Sequence, residues 1–352
     1  MEIRKIRNDG YVYIDKTALI HKLVNSGSYY FLSRPRRFGK SLLISTLEAY
    51  FQGKRELFEG LAMEKLEKNW VKRPVLHLDL NIGKYDTPDS LDKILDNALS
   101  QWEAIYGTGI AETTLALRFK GILERAYKQT GERVAILIDE YDKPLLQAIG
   151  NHDLQREFRN TLKPFYGVLK TMDGCIKFAL LTGATKFGKI SVFSDLNNLD
   201  DITMREPYIS LCGITEQEIH DNFEKEIHEL AAAQKMTYQE ACQELKSCYD
   251  GYHFVENTEG IYNPFSLLNT FKYKKFDNYW FETSTPTYLV ELLKNNHYDL
   301  ERMAHEETDA DVLNSIYGDE EPIPVIFQGV ISPSRNMTKN LAYTASDFPT
   351  GK

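Results

Sequence analysis

The sequence predicts an α/β fold, a wound parallel sheet followed by a mainly helical region, and three observations predict it. Short apolar runs alternate with longer amphipathic stretches up to about Leu211. A Gly-Lys-Ser loop lies between the first such run and the helical stretch that follows it. Beyond Leu211 the strand signal fades while helical periodicity continues.

The runs Tyr29 to Leu32, Val75 to Leu80, Val134 to Asp139 and Lys177 to Gly183 are short and apolar, the pattern of strands buried on both faces. Tyr208 to Leu211 is a weaker fifth candidate. Ser41 to Gln52, Ser90 to Tyr106, Glu112 to Thr130 and Leu154 to Leu169 place apolar residues at helical spacing. Each is long enough to carry the chain back over a parallel strand. After Leu211, Thr215 to Ala233 and Thr237 to Cys248 read as helices, the first opened by Thr215 with Glu218 three residues on, a capping-box pattern. The predicted organisation is residues 1–212 as the α/β domain, 213–308 as a helical domain and 309–352 as a tail. The last 20 or so residues, polar and rich in Ser, Thr and Asn, are expected to be poorly ordered.

Composition narrows the function classes. With 42 basic against 51 acidic residues in 352, the net charge of −9 excludes a globally basic nucleic-acid coat and leaves room only for a local basic site. Cys175, Cys212, Cys242 and Cys248 form neither a C-x-x-C pair nor a dense disulfide framework, and no apolar run approaches the roughly 18 residues of a membrane span. The first ten residues are charged rather than apolar, so a soluble, cytoplasmic protein is expected. The eight histidines are scattered without a zinc-ligand pattern.

The local basic site is Arg34-Pro-Arg-Arg-Phe-Gly-Lys-Ser41, placed in the strand, loop, helix order of a P-loop. A helix N-terminus directs unpaired N–H groups and the positive end of its dipole at an anion. Lys40 is expected to reach the β- and γ-phosphates and Ser41 to ligate Mg²⁺. Arg34 stands where the G-x-x-x-x-G-K-[ST] pattern has Gly, and Pro35 lacks an N–H. The anion nest is therefore expected from residues 36 to 41. Arg34, Arg36, Arg37 and Lys40 together suit a polyanion, since guanidinium groups match phosphate oxygens bidentately.

About a hundred residues on, the apolar run ending in Asp139-Glu140 supplies the complementary acids. In this reading Asp139 holds Mg²⁺ through its water shell, and Glu140 is the base that orients the attacking water. Thr182, at the end of another apolar run, is placed to contact the γ-phosphate or that water, or else is a structural strand-end hydroxyl.

These stretches resemble the AAA-ATPase-like proteins of bacteria and archaea, many of which carry a C-terminal PD-(D/E)XK nuclease-like domain. The resemblance rests on Tyr11 to Thr17, Leu32 to Leu42, Ile138 to Pro144, Leu181 to Phe187, Phe193 to Leu199, Tyr249 to Phe254 and Tyr262 to Ser266. It implies a P-loop NTPase core of AAA/ASCE type followed by a winged-helix-like region, ATP with Mg²⁺ as the ligands, and Arg34 as a usual variant of the loop. The implied nucleotide-binding set is Arg36, Arg37, Phe38, Gly39, Lys40, Ser41 and Leu42; Ser41 and Asp139 hold the metal, and Glu140, Lys40 and Thr182 are catalytic. Asp15 and Lys16 either line the nucleotide site or form an ion pair fixing the approach to the first strand, and Tyr249 to Phe254 is read as packing. After Pro322 to Gln328 only a short stub remains, with no Glu/Asp-x-Lys strand, so nuclease activity is not carried over.

Three functions follow as expectations: an ATPase driving a conformational change, an ATP-gated switch that recruits a partner with slow hydrolysis, and a nucleic-acid-processing ATPase. The resemblance also allows a homo-oligomer in which a neighbour's arginine completes the site, and the sequence leaves monomer and ring both open. Residues 213 to 255, rich in acids and without a basic stripe, argue against nucleic acid on the helical region.

Overall fold

A computed structural model describes residues 2–186, 192–193, 196, 198–249, 254, 258–277 and 279. The tail expected at 309–352 and the last part of the expected helical domain lie outside the described residues. The chain divides into two compact units, one made of the residues up to Ser33 with Lys40–Ile202, the other of Arg34–Gly39 with the chain from Thr203 onward.

The first unit is a five-stranded parallel sheet with helices between its strands. Its strands are β1 (Tyr29–Ser33), β2 (Val75–Asp79), β3 (Val134–Asp139), β4 (Ile176–Gly183) and β5 (Asp200–Asp201), in spatial order β2-β3-β4-β1-β5. Every residue of β1 and β3 is buried, as a strand covered on both faces requires. Edge strand β2 alternates, with Leu76 and Leu78 inward.

The helices of this unit are α1 (Ile3–Asn8), α2 (Thr17–Ser26), α3 (Lys40–Phe51), α4 (Ala62–Leu66), α5 (Ser90–Tyr106), α6 (Leu115–Thr130), α7 (Lys143–Gln147) and α8 (His152–Thr171). Helix α6 starts three residues later than its periodicity suggests, because Thr114 caps it by accepting the Leu117 N–H while Glu112 pairs with Arg125. Asn151 caps α8 in the same way, through the Leu154 N–H.

The fifth-strand expectation is corrected. Tyr208 to Leu211 lies in a 3₁₀ turn, Glu206–Leu211, opened by Pro207. Its apolar side chains Tyr208 and Leu211 are buried without sheet pairing. The fifth strand is the polar pair Asp200–Asp201, beside Tyr30 and Phe31 of β1.

Strand order sets up the site. β4 lies between β1 and β3, with Leu32 opposite Thr182, Ser33 opposite Gly183 and Ile138 opposite Leu181. The loops after β1, β3 and β4 therefore leave the same carboxyl edge, where open parallel sheets bind ligands. Beneath that edge an aromatic group holds the backbone. The Tyr141 ring lies 5.3 Å from Phe31 and 5.2 Å from Phe193, which is 5.1 Å from Tyr166. Each such pair contributes about 0.5–1.5 kcal/mol beyond its buried area.

In the second unit the described residues are mainly helical: Glu216–Gln234, Tyr238–Tyr249 and Pro264–Tyr273. The capping box forms, with the Thr215 hydroxyl 3.2 Å from the Glu218 N–H and the Glu218 carboxylate 2.8 Å from the Thr215 N–H. Asn263 caps the third helix through the N–H groups of Phe265 and Ser266, and an antiparallel bridge joins Ile214 to Tyr262.

Candidate functional site

At the carboxyl edge of the first unit, α3 begins at Lys40, so its first-turn N–H groups and positive dipole end face the end of β1. The Lys40 ammonium is nearly fully buried, and its Nζ lies 3.2 Å from Glu140 Oε1. The next residue, Ser41, donates its hydroxyl to Asp139 Oδ2 at 2.7 Å. Thr182 on the neighbouring strand donates to Asp139 Oδ1 at 2.5 Å. Each oxygen of the buried Asp139 carboxylate thus accepts one hydroxyl, and its orientation is fixed from both sides.

Glu140 occupies the left-handed region at φ 56°, unusual for a residue with a side chain. That turn lets the Tyr141 N–H donate to the Thr182 carbonyl at 2.9 Å, tying the end of β3 to β4. Asp142, fully buried, completes the tie by accepting the Thr185 N–H at 2.7 Å, the Thr185 hydroxyl at 2.9 Å and the Ala184 N–H at 3.3 Å. Burial and, next, the negative charge of Glu140 push the Asp142 carboxyl up to about 6. Gly183 is required between them, because a Cβ there would sit 2.5 Å from the Tyr141 ring and 2.9 Å from Asp142 Oδ1.

A protein family described as "Predicted AAA-ATPase" has a sequence pattern that matches residues 1–193, more than half of the chain and all five of the residues Lys40, Ser41, Asp139, Glu140 and Thr182. The chain belongs to the AAA-ATPase-like family. It is also similar to a protein of Azotobacter chroococcum mcd 1 described as "Uncharacterized protein in vnfD 5'region". The two are 40% identical over 291 residues, which is 82% of this chain and 54% of that protein. The chain thus spans about half the length of the curated relative it matches.

In this AAA-ATPase-like protein the loop residues Arg34–Gly39 belong to the second unit. Arg34 is fully buried there, its guanidinium 2.6 Å from the Thr203 carbonyl, 3.3 Å and 3.4 Å from those of Tyr208 and Ile209, and 3.9 Å above the centre of the Phe254 ring. This corrects the reading of Arg34 as one of a phosphate-facing cluster, since its donors are turned to backbone carbonyls. Phe38 is likewise buried, packed against Ile261 and Phe254, and its carbonyl accepts the Gly213 N–H at 3.0 Å. Its side chain is therefore a packing element. Arg37 is exposed, at φ 69°, and lies 5.0 Å from the centre of the Phe265 ring. Gly39 at φ 94° supplies the second left-handed turn, and Arg36 is half-buried. Leu42 is half-buried, its carbonyl engaged by Ser45 and Thr46.

Five of the expected residues thus converge on one edge: Lys40, Ser41, Asp139, Glu140 and Thr182. The Thr182 hydroxyl proton is directed to Asp139, so the side chain orients that carboxylate, while its oxygen keeps lone pairs that can accept a hydrogen bond. Sequence reasoning missed Asp142 and Gly183 as supports of the edge, although the Asp139-Glu-Tyr-Asp142 spacing was the visible signal. Asp15 acts as a cap, accepting from Thr17 and from the Ala62 N–H. Tyr249 bonds Thr270 and Asp277, a packing role, while residues 250–253 lie outside the described residues.

Among the described residues no helix is long and apolar enough to cross a membrane, and no three His, Cys, Asp or Glu side chains gather into a metal cage. A cation at Asp139 suits Mg²⁺, which is held by one or two protein oxygens together with water and substrate phosphates.

Proposed function

We propose that this chain binds Mg-ATP at the N-terminus of α3 and hydrolyses it to ADP and phosphate. The observation that carries the reading is the convergence of a buried lysine, a serine hydroxyl and two acids where a helix N-terminus meets the sheet edge.

Ser41 Oγ and Asp139 Oδ2, 2.7 Å apart, are both hard oxygen ligands of the kind Mg²⁺ prefers, so the residues fit the ion. Bound there, Mg²⁺ would neutralise charge on the β- and γ-phosphates. Without phosphate, Lys40 and Glu140 neutralise one another. A γ-phosphate attracts Lys40 and loosens that pair, which releases Glu140 to orient a water and take its proton as the water's oxygen attacks the γ-phosphorus, while the bond from that phosphorus to the β–γ bridging oxygen breaks and its electron pair leaves with ADP. Asp139 stays fixed by Thr182 throughout. The acid base and the lysine are thus held apart from substrate until the substrate itself separates them.

Phosphate release and direct nucleotide binding, measured on wild type, Lys40→Ala and Glu140→Gln, test the proposal. Lys40→Ala should lose Mg-ATP binding. Glu140→Gln should keep it and turn over roughly 10²–10⁴-fold more slowly. Normal turnover in both variants would overturn the reading.

A second reading, an ATP-gated switch with slow hydrolysis, is favoured by one observation: loop residues Arg34, Phe38 and Arg37 contact Thr203, Gly213, Phe254 and Phe265. A slow wild-type turnover, on the order of 10⁻⁴ to 10⁻² per second, would select it.

A further inference from the structure

One acid at the sheet edge has no part in the proposed reaction. Asp79 ends β2, and the ladder sets it directly beside Asp139, the last residue of β3. Register partners on parallel strands project to the same face, and two contacts with α3 show which face that is. Asp139 meets Ser41 of α3. His77, two residues before Asp79 and so on the same face, has its Nδ1 3.1 Å from Glu48 Oε2 of that helix. Both carboxylates therefore stand on the α3 side of the sheet, at its carboxyl edge.

Only one oxygen of Asp79 is used. Its Oδ1 accepts the Asn81 N–H at 2.8 Å and caps the turn Leu80–Ile82. Its Oδ2 accepts no hydrogen bond among the described residues, and the side chain is half-buried, within reach of water. Glu140 has Lys40, whereas neither Asp79 nor Asp139 joins an ion pair among the described residues. Like charges set opposite one another on neighbouring strands are destabilising. The His77 imidazole registers both of them: burial pushes it down, but Glu48, then the charges of Asp139 and Asp79, hold it above its ordinary value. The cap does not explain the charge, since asparagine caps as well as aspartate.

Resting on the proposed Mg-ATP reading, we propose that Asp79 is a positioning residue for the metal: its Oδ2 accepts a hydrogen bond from a water of a Mg²⁺ ion held at Ser41 and Asp139. No three acids gather closely enough among the described residues to cage an ion directly, so Asp79 acts at one water's remove. Neighbouring strands lie about 4.8 Å apart, a gap that one water bridges, and Mg²⁺ keeps several of its waters when bound. The extra charge acts in opposite directions on the two ligands. It draws a divalent cation to the edge, and it repels the phosphates of a nucleotide that arrives without one. Asp79 thereby favours metal-loaded over bare nucleotide.

The test compares the full-length wild type with Asp79→Asn and Asp79→Glu. Asparagine keeps an oxygen for the Asn81 N–H and removes the charge; glutamate keeps the charge on a longer stem. Two affinities are measured: that for Mn²⁺, standing in for Mg²⁺, by electron paramagnetic resonance in the presence of ADP, and that for ADP alone in EDTA by calorimetry. In Asp79→Asn the Mn²⁺ Kd should rise roughly 10–100-fold, as for other groups that orient a metal's surroundings. Metal-free ADP should bind Asp79→Asn no more weakly than wild type. Asp79→Glu should recover part of the Mn²⁺ affinity. If Asp79→Asn fails to fold, Asp79→Ser, which also offers a capping oxygen without charge, carries the same readouts. Wild type that binds no Mn²⁺ with ADP would overturn the proposed function and this inference with it. Wild type that binds, with the Asp79→Asn Mn²⁺ Kd within twofold, would overturn the inference alone. So would a variant that loses both affinities together, because a purely structural role weakens both.

Discussion

Replacing Thr182 with valine removes one hydroxyl from the candidate site and almost no volume. That hydroxyl lies 2.5 Å from Asp139 Oδ1, and both side chains are buried, so water cannot take its place. A hydrogen bond to a charged group contributes about 1.5–3 kcal/mol, and the unpaired carboxylate oxygen sets the upper part of that range. Taking about 2 kcal/mol and roughly 2–4 °C per kcal/mol for a unit of this size, the melting temperature should fall by about 4–8 °C. The same loss frees Asp139 to rotate, so the Mg²⁺ concentration for half-maximal ATP turnover should rise by roughly 10–100-fold, as for other groups that orient a metal ligand. Thr182→Ser keeps the donor and should restore most of both. The assays are thermal denaturation by circular dichroism and phosphate release against MgCl₂. A Thr182→Val protein melting within about 1 °C of wild type, with the same Mg²⁺ requirement, would refute the assignment of Thr182 as the group that orients Asp139.

Gly183→Ala should cost about 1–3 kcal/mol of stability by overpacking, because the Tyr141 ring it meets is itself wedged against Phe31 and Phe193; a chemical denaturation series would show an unchanged midpoint if the site can relax. Asp142 holds its proton more tightly folded than unfolded, so its contribution favours the folded state at low pH and is lost as pH rises from about 4 through about 6. In Asp142→Asn that part of the pH dependence of unfolding free energy should vanish, and a slope identical to wild type across this window would count against it. Thr215→Ala removes the reciprocal cap of the helix Glu216–Gln234 and should cost about 1 kcal/mol, read as a shift in denaturation midpoint without a change in ATP turnover.

Where the sequence was legible, and where it was not, follows from the physics of each signal. Strands β1, β3 and β4 stand out as apolar runs because covered parallel strands have no polar face. The helices between them show because one face is apolar. β5 is two aspartates at a sheet edge, paired through backbone atoms that leave no side-chain pattern. The run Tyr208 to Leu211 misled because burial in a 3₁₀ turn beneath a long side chain has the same apolar composition as burial in a sheet. Lys40, Ser41, Asp139 and Glu140 were legible from spacing, since a lysine–serine pair at a helix start and acids at a strand end have few other uses together. Arg34 was not: its sequence neighbours are cationic, whereas its partners lie about 170 and 220 residues away. The role of Thr182 in turning Asp139 was hidden for the same reason, because it depends on β4 lying between β1 and β3.

That strand order also governs when the site can exist during synthesis. β1 pairs with β4 and β5 and with neither of the strands made between them, so Tyr29 waits for Ala179 and Tyr30 for Asp200. At about 5–20 residues per second a ribosome needs roughly 10–30 s to cover that interval. During it both edges of a strand that is wholly buried in the finished sheet lack their partners, while β2 and β3 already pair. A nascent chain released before β4 therefore has the complete loop and α3 in its sequence but no sheet to hold them, and its β1 edge is the segment a chaperone must shield.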